Sequence, residues 1–245
     1  MFQERCKTAG ERIVRTVDKV DGIYLLKLRP EGMNYGEQYA MTDPYGDDLG
    51  GDGYIQMFLR GNYEANHSGT PIEGAPPPPK GYRYVEAIDP KDGKRYRYTG
   101  GMKVVGKKNV SAPNVQINLQ RNPNYDLSIY AFVLDKAPAP GQSPRYGVTY
   151  DDLSTREERE YWIAGSSLKV IDLQSNEVIA ERIGYMWDPA QGNRGGGRAP
   201  WLFAPDHACP SFQRNPLRPP GHGAEAQRRQ TQYFVEKSLK PNLEN

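Results

Sequence analysis

Residues 82–100, YRYVEAIDPKDGKRYRYTG, alternate apolar or aromatic side chains with polar ones on both sides of a turn that runs from Asp89 to Gly93. A period of two interrupted by Asp, Pro and Gly defines a β-hairpin, with Tyr96 and Tyr98 on one face. A second hairpin is spelled by SLKVIDL and VIAERIGYM, joined through Gln174, Ser175 and Asn176, and GIYLLKLRP from Gly22 to Pro30 reads as another strand. Composition fits this pattern: 17 tyrosines, 26 glycines and 21 prolines against 37% hydrophobic residues suit half-buried strands joined by many turns, and do not suit a helical bundle.

Helical spacing is confined to the two ends and one internal stretch. Phe2, Cys6, Ala9, Ile13 and Val17 recur at intervals of three and four, which predicts an amphipathic helix over 2–17 with Cys6 on its buried face. Gly10 inside it costs about 1 kcal/mol relative to alanine, so tertiary packing would have to hold that helix. Thr231, Phe234, Val235, Ser238 and Leu239 predict a C-terminal helix that Pro241 stops. In DDLSTREERE, Ser154 and Glu157 match a capping box that opens a short helix with a solvated, charged face. The expected fold is α+β and β-rich, a mainly antiparallel sheet built from hairpins, with the N- and C-terminal helices packed on it. One domain over 1–245 is expected, with Pro/Gly-rich surface loops near 71–81, 136–145 and 190–200.

Several function classes drop out. A net charge of +2 with no long basic run gives no nucleic-acid footprint. No apolar run approaches the roughly 18 to 20 residues of a membrane span, so a soluble chain is expected. The sequence holds no GxSxG, no HExxH and no Walker loop, and His67, His207 and His222 are scattered. Neither an enzyme nor a cofactor or metal is expected, and Arg194 and Arg198 in GNRGGGR read as solvated loop residues. The stretch from Glu31 to Leu59 is the informative one, since it carries Glu31, Glu37, Asp43, Asp47, Asp48 and Asp52 without a lysine or arginine. Its spacing does not follow the alternating oxygen ligands of an EF-hand. The block reads either as a recognition surface for a basic partner, with contacts Tyr45, Asp47, Asp48, Asp52 and Tyr54, or as charge paired within the fold. Arg29, Arg60, Arg214, Arg218, Arg228 and Arg229 are the internal candidates for that pairing.

Cys6 and Cys209 are too far apart in sequence for a CxxC redox or zinc motif, which leaves two buried thiols or one long-range disulfide. Cys209 lies in APDHACP between prolines, where a packed thiol has less to join.

CKTAGER at 6–12, DPYGDDLGGDGYI at 43–55, VEAIDPKDGKRYRYTG at 85–100, the run YGVTYDDLSTREEREYWIAGSSLKVIDL at 146–173 and WLFAPDHACP at 201–210 together resemble a family of uncharacterised proteobacterial envelope proteins, lipoprotein-like and often associated with type VI secretion effector loci. The resemblance spans nearly all of the chain. It implies a periplasmic protein whose leader or membrane anchor has been removed, and hence an oxidising compartment that favours a Cys6–Cys209 bond. It also implies an immunity protein whose partner is a cognate toxic effector, with a phospholipase as the leading type. The alternative is an envelope binding module for a small ligand or cell-wall component, with tyrosine-lined strands as its platform. The family carries no assigned catalytic residues.

Overall fold

The computed structural model describes residues 1–31, 38–39, 49–60, 80–212 and 224–244, with 224–229 as backbone alone. The fold is α+β with mainly β content. Its strands are β1 (Gly10–Ile13), β2 (Val17–Val20), β3 (Gly22–Leu25), β4 (Tyr84–Ile88), β5 (Arg95–Lys107), β6 (Ser128–Pro138), β7 (Tyr146–Asp152), β8 (Ile163–Asp172), β9 (Glu177–Trp187), β10 (Ala208–Cys209) and β11 (Leu239–Pro241). The helices are α1 (Phe2–Cys6), α2 (Asp52–Phe58), α3 (Pro113–Arg121), α4 (Arg156–Glu160) and α5 (Ala224–Ser238).

Nine strands form one sheet in the order β1-β9-β8-β7-β3-β4-β5-β6, with β10 also on β9, while β2 and β11 pair separately. Both predicted hairpins are present: Val85 faces Tyr98 in the first and Val170 faces Ala180 in the second. In the first turn Asp89 accepts from the Gly93 and Lys91 N–H groups. The sheet is antiparallel except at its middle, where β3 runs parallel to both β4 and β7. Buried on both sides, β3 contributes Ile23 and Leu25 to the core, the burial expected of a parallel central strand. It ends at Leu25, short of the Pro30 expected from the sequence.

The largest departure is at the N-terminus. Helix α1 stops at Cys6, and Gly10–Ile13 instead lies along β9, pairing Gly10 with Ile183 and Ile13 with Ala180. A strand edge offers this segment a full ladder of backbone bonds, which outweighs a weak helical period interrupted by glycine. Val17 and Val20 then belong to β2, which runs parallel to β11 with Val17 opposite Leu239. The C-terminal helix forms as expected, and Thr231, Phe234, Val235 and Ser238 are its buried face.

The capping box opens α4 one residue later than the sequence suggested. The Glu158 N–H donates to the Thr155 hydroxyl at 3.1 Å and the Thr155 N–H to the Glu158 carboxylate at 2.8 Å. Ser154 is used elsewhere, its hydroxyl accepting from the Gly165 N–H at 2.8 Å. The face of α4 is solvated only in part: Arg156, Glu157 and Glu160 are exposed, whereas Glu158 and Arg159 are buried, paired with Arg5 and Asp152 respectively. Of the expected surface loops, the one near 136 begins later, because Lys136 to Pro138 still belong to β6. Around 190–200 the chain makes turns and one short 3-10 turn at Gly195–Gly197, and most of 71–81 lies outside the described residues.

Candidate interaction surface

The acidic stretch leaves and re-enters the described fold beside Arg29. The Gly51 N–H donates to the Arg29 carbonyl at 2.9 Å, and the next turn closes with Tyr54 N–H to the Gly51 carbonyl at 3.1 Å. Glycine is required here, since a Cβ on Gly50 would lie 1.9 Å from the Pro30 carbonyl oxygen and Gly51 has φ +52°. From this neck α2 sends Tyr54, Ile55, Met57 and Phe58 into the core and leaves Asp52 exposed at its first turn.

Beneath the neck lies a stack of cations and rings. The Arg29 guanidinium sits 4.3 Å from the centre of the Tyr150 ring and 5.4 Å from that of Tyr54, and the Lys27 ammonium lies 4.5 Å from the Tyr150 ring. Lys27 also donates to the Tyr150 carbonyl at 3.2 Å, and the Tyr150 hydroxyl to the Leu28 carbonyl at 3.2 Å. Such stacking keeps a guanidinium beneath the neck while its flat faces meet rings in place of water.

The proposed contact residues therefore separate. Asp52 is accessible to a partner. Tyr54 is not, being 0% exposed and edge-on to both Phe58 and Tyr150. Its amphipathic ring served the core, because α2 presents it on the same side as Phe58. Tyr45, Asp47 and Asp48 lie outside the described residues. Of the candidate internal cations, Arg60 is committed to Glu236 on α5.

A cleft of about 590 Å³ lies between α5 and the outer side of β9, lined among the described residues by Glu11, Arg182, Ser211, Tyr233, Glu236 and Lys237, with Pro210 and Gln230. Its charges are largely matched. Lys237 bonds Glu11 at 2.7 Å, and Glu236 accepts from Gln232 at 3.1 Å besides pairing with Arg60. Burial pushes the Glu236 carboxyl above its ordinary range, and Arg60 partly offsets this. Sequence reasoning missed the cleft, since its lining comes from β1, β9, α5 and the residues just after β10, which no local motif links.

At the other end of β9 the two cysteines form a disulfide, with Cα atoms 5.5 Å apart. Around it Arg5 pairs with the buried Glu158, whose carboxyl is thereby held below its usual range against the opposing effect of burial. The Phe2 ring lies 6.2 Å from that of Trp187, which in turn meets His207 edge-on at 5.8 Å. His207 is bound through Nδ1 to the Phe203 carbonyl at 3.0 Å. His67 and His222 lie outside the described residues. In the glycine-rich loop the Arg198 guanidinium donates to the Gly195 carbonyl at 3.0 Å, so it braces its own loop.

No family model matches the chain, and no curated protein and no solved structure matches it either.

Proposed function

We propose that this chain is an extracytoplasmic protein that acts by binding another protein. In the specific form that the family resemblance suggests, it is a periplasmic immunity protein that neutralises a type VI secretion effector, with a phospholipase as the leading candidate, by covering the effector's active site or membrane-facing surface. The observation that supports the compartment is the Cys6–Cys209 bond, because structural disulfides persist where the surroundings are oxidising. Asp52, exposed at the mouth of an acidic segment, is the described part of the contact surface, and an acidic rim of this kind steers a basic partner.

The small-ligand alternative calls for a pocket lined by tyrosines. Tyr54, Tyr82, Tyr98 and Tyr150 are instead in the core, and the described cleft carries Tyr233 alone of that residue type. Protein binding is therefore the better supported reading.

The test is to express an effector encoded beside this gene in the periplasm of a sensitive cell, with and without this protein. Rescue of growth is expected, together with loss of rescue when Asp52 is replaced by lysine. Unchanged killing by the effector overturns the immunity reading.

A further inference from the structure

The hairpin of β5 and β6 outgrows the sheet. β4 accompanies β5 only from Arg95 to Tyr98, whereas β5 and β6 stay paired from Tyr96 opposite Pro138 out to Lys107 opposite Ser128. Beyond Tyr98 no described strand lies on the outer side of β5, so nine residues of β5 and eight of β6 form a two-stranded arm, whose base still packs Phe132 on the core. At about 3.4 Å per residue the arm is roughly 30 Å long. Helix α3 closes its far end, where the Lys108 N–H donates to the Leu127 carbonyl at 2.7 Å.

The far end is apolar in a way that water does not favour. Met102, Val104, Val105, Val110, Ile117 and Ile129 are between 37 and 57% exposed. They do not share one face. Val104 is paired with Tyr130 and Met102 with Phe132, continuing the core side of the sheet, whereas Ile129 is next to Tyr130 in the same strand and points the opposite way. Val110 and Ile117 belong to the cap itself.

The same region carries the chain's surplus charge. Residues 99–135 hold Lys103, Lys107, Lys108 and Arg121 against Asp126 and Asp135, a net +2 that equals the charge of the whole protein. Lys103 bonds Asp135 at 2.7 Å. Asp126 is occupied by the Ser128 N–H and the Tyr130 hydroxyl, both at 2.8 Å. Lys108 is already engaged, donating to the Tyr125 hydroxyl at 3.0 Å and the Asp126 carbonyl at 2.9 Å, whereas Lys107 and Arg121, exposed near the tip, make no ion pair among the described residues.

We infer that the tip of this arm docks on an anionic lipid surface. The aliphatic side chains enter the boundary between headgroups and acyl chains, while Lys107 and Arg121 meet the phosphates. A single flat protein surface would cover one face of the ribbon and leave the other apolar face in water. A fluid layer surrounds the tip on every side. Penetration stops near the tip, since the open edge of β5 keeps backbone groups that hydrocarbon could not satisfy. This inference is independent of the effector-binding reading.

Vesicles of phosphatidylcholine alone, and of phosphatidylcholine mixed with phosphatidylglycerol, provide the probe, and co-sedimentation of the full chain the readout. Binding is expected to the mixed vesicles and not to the neutral ones. It should fall about tenfold when salt rises from about 0.05 to about 0.5 M. The double variant V105D/I117D should lose at least about tenfold in bound fraction, whereas V178D, an exposed change on β9 far from the arm, should bind as the unchanged protein does. Hydrogen exchange on the unmodified protein gives a readout that does not depend on any variant, with slowing by vesicles expected within 99–135 and not elsewhere. Absence of binding to anionic vesicles, equal binding to neutral ones, or protection outside the arm overturns the inference; the first result would assign the arm to a protein partner.

Discussion

Cys6 at the end of α1 and Cys209 in β10 are 203 residues apart in sequence, and their Cα atoms stand 5.5 Å apart on the outer flank of β9. β1 and β10 both pair with that flank, β1 through Ala180–Ile183 and β10 through Tyr185 and Met186. The bond thus ties the first helix to the strand that resumes the same edge after most of the chain has been laid down.

Replacing both cysteines by serine should lower stability by about 2–4 kcal/mol in urea unfolding, since the closed loop includes most of the chain. Intact mass after alkylation gives the direct check. Two labels are expected only after reduction, and two labels without reductant would show the bond absent in that material.

Asp172 should govern part of the acid stability. Its buried carboxylate accepts from Arg145, from the Gln174 N–H and from Arg15, which together hold its pKa down to about 2. A depressed carboxyl pKa stabilises the fold above the ordinary aspartate range and loses that contribution as pH falls toward about 2. D172N should therefore be less stable by about 1–2 kcal/mol at neutral pH. The gap to the unchanged protein should close as unfolding is measured down to about pH 2.

Arg60 and Glu236 predict the opposite slope. Burial raises the Glu236 carboxyl and Arg60 opposes that rise. In R60M the carboxyl should hold its proton to higher pH, and stability should fall as pH climbs through its raised range, since the folded state then binds the extra proton. A flat stability profile for R60M across that range would show that Glu236 had moved into water.

The neck of the acidic segment can be tested by backbone shape alone. G50A forces a Cβ onto the Pro30 carbonyl and should cost about 1–3 kcal/mol. G101A on the arm meets nothing within 4 Å and should leave the melting temperature nearly unchanged.

The hairpins were legible because their information is local. Alternation and turn residues within 82–100 and 167–186 state both the strands and their register, and the C-terminal stripe of Thr231, Phe234 and Val235 states a buried helical face. The N-terminal helix was misread for the complementary reason. Ile13 and Val17 keep helical spacing, but the ladder along β9 is contributed by residues about 170 positions away. Tyr54 follows the same rule, because a tyrosine two residues after Asp52 at the end of an acidic stretch looks exposed until α2 turns it toward Tyr150.

By itself, then, the sequence determined a β-rich chain of hairpins, a C-terminal helix and an acidic stretch with glycine turns, all matters of periodicity and turn chemistry over ten or twenty residues. Only the tertiary structure decided that β3 runs parallel between β4 and β7, that β1 and β10 share one edge of β9 and bring Cys6 to Cys209, and that β5 and β6 extend past the core with apolar side chains in water. Those outcomes depend on which distant backbone edges and apolar faces meet, and contacts between residues far apart in the chain leave no local period from which to read them.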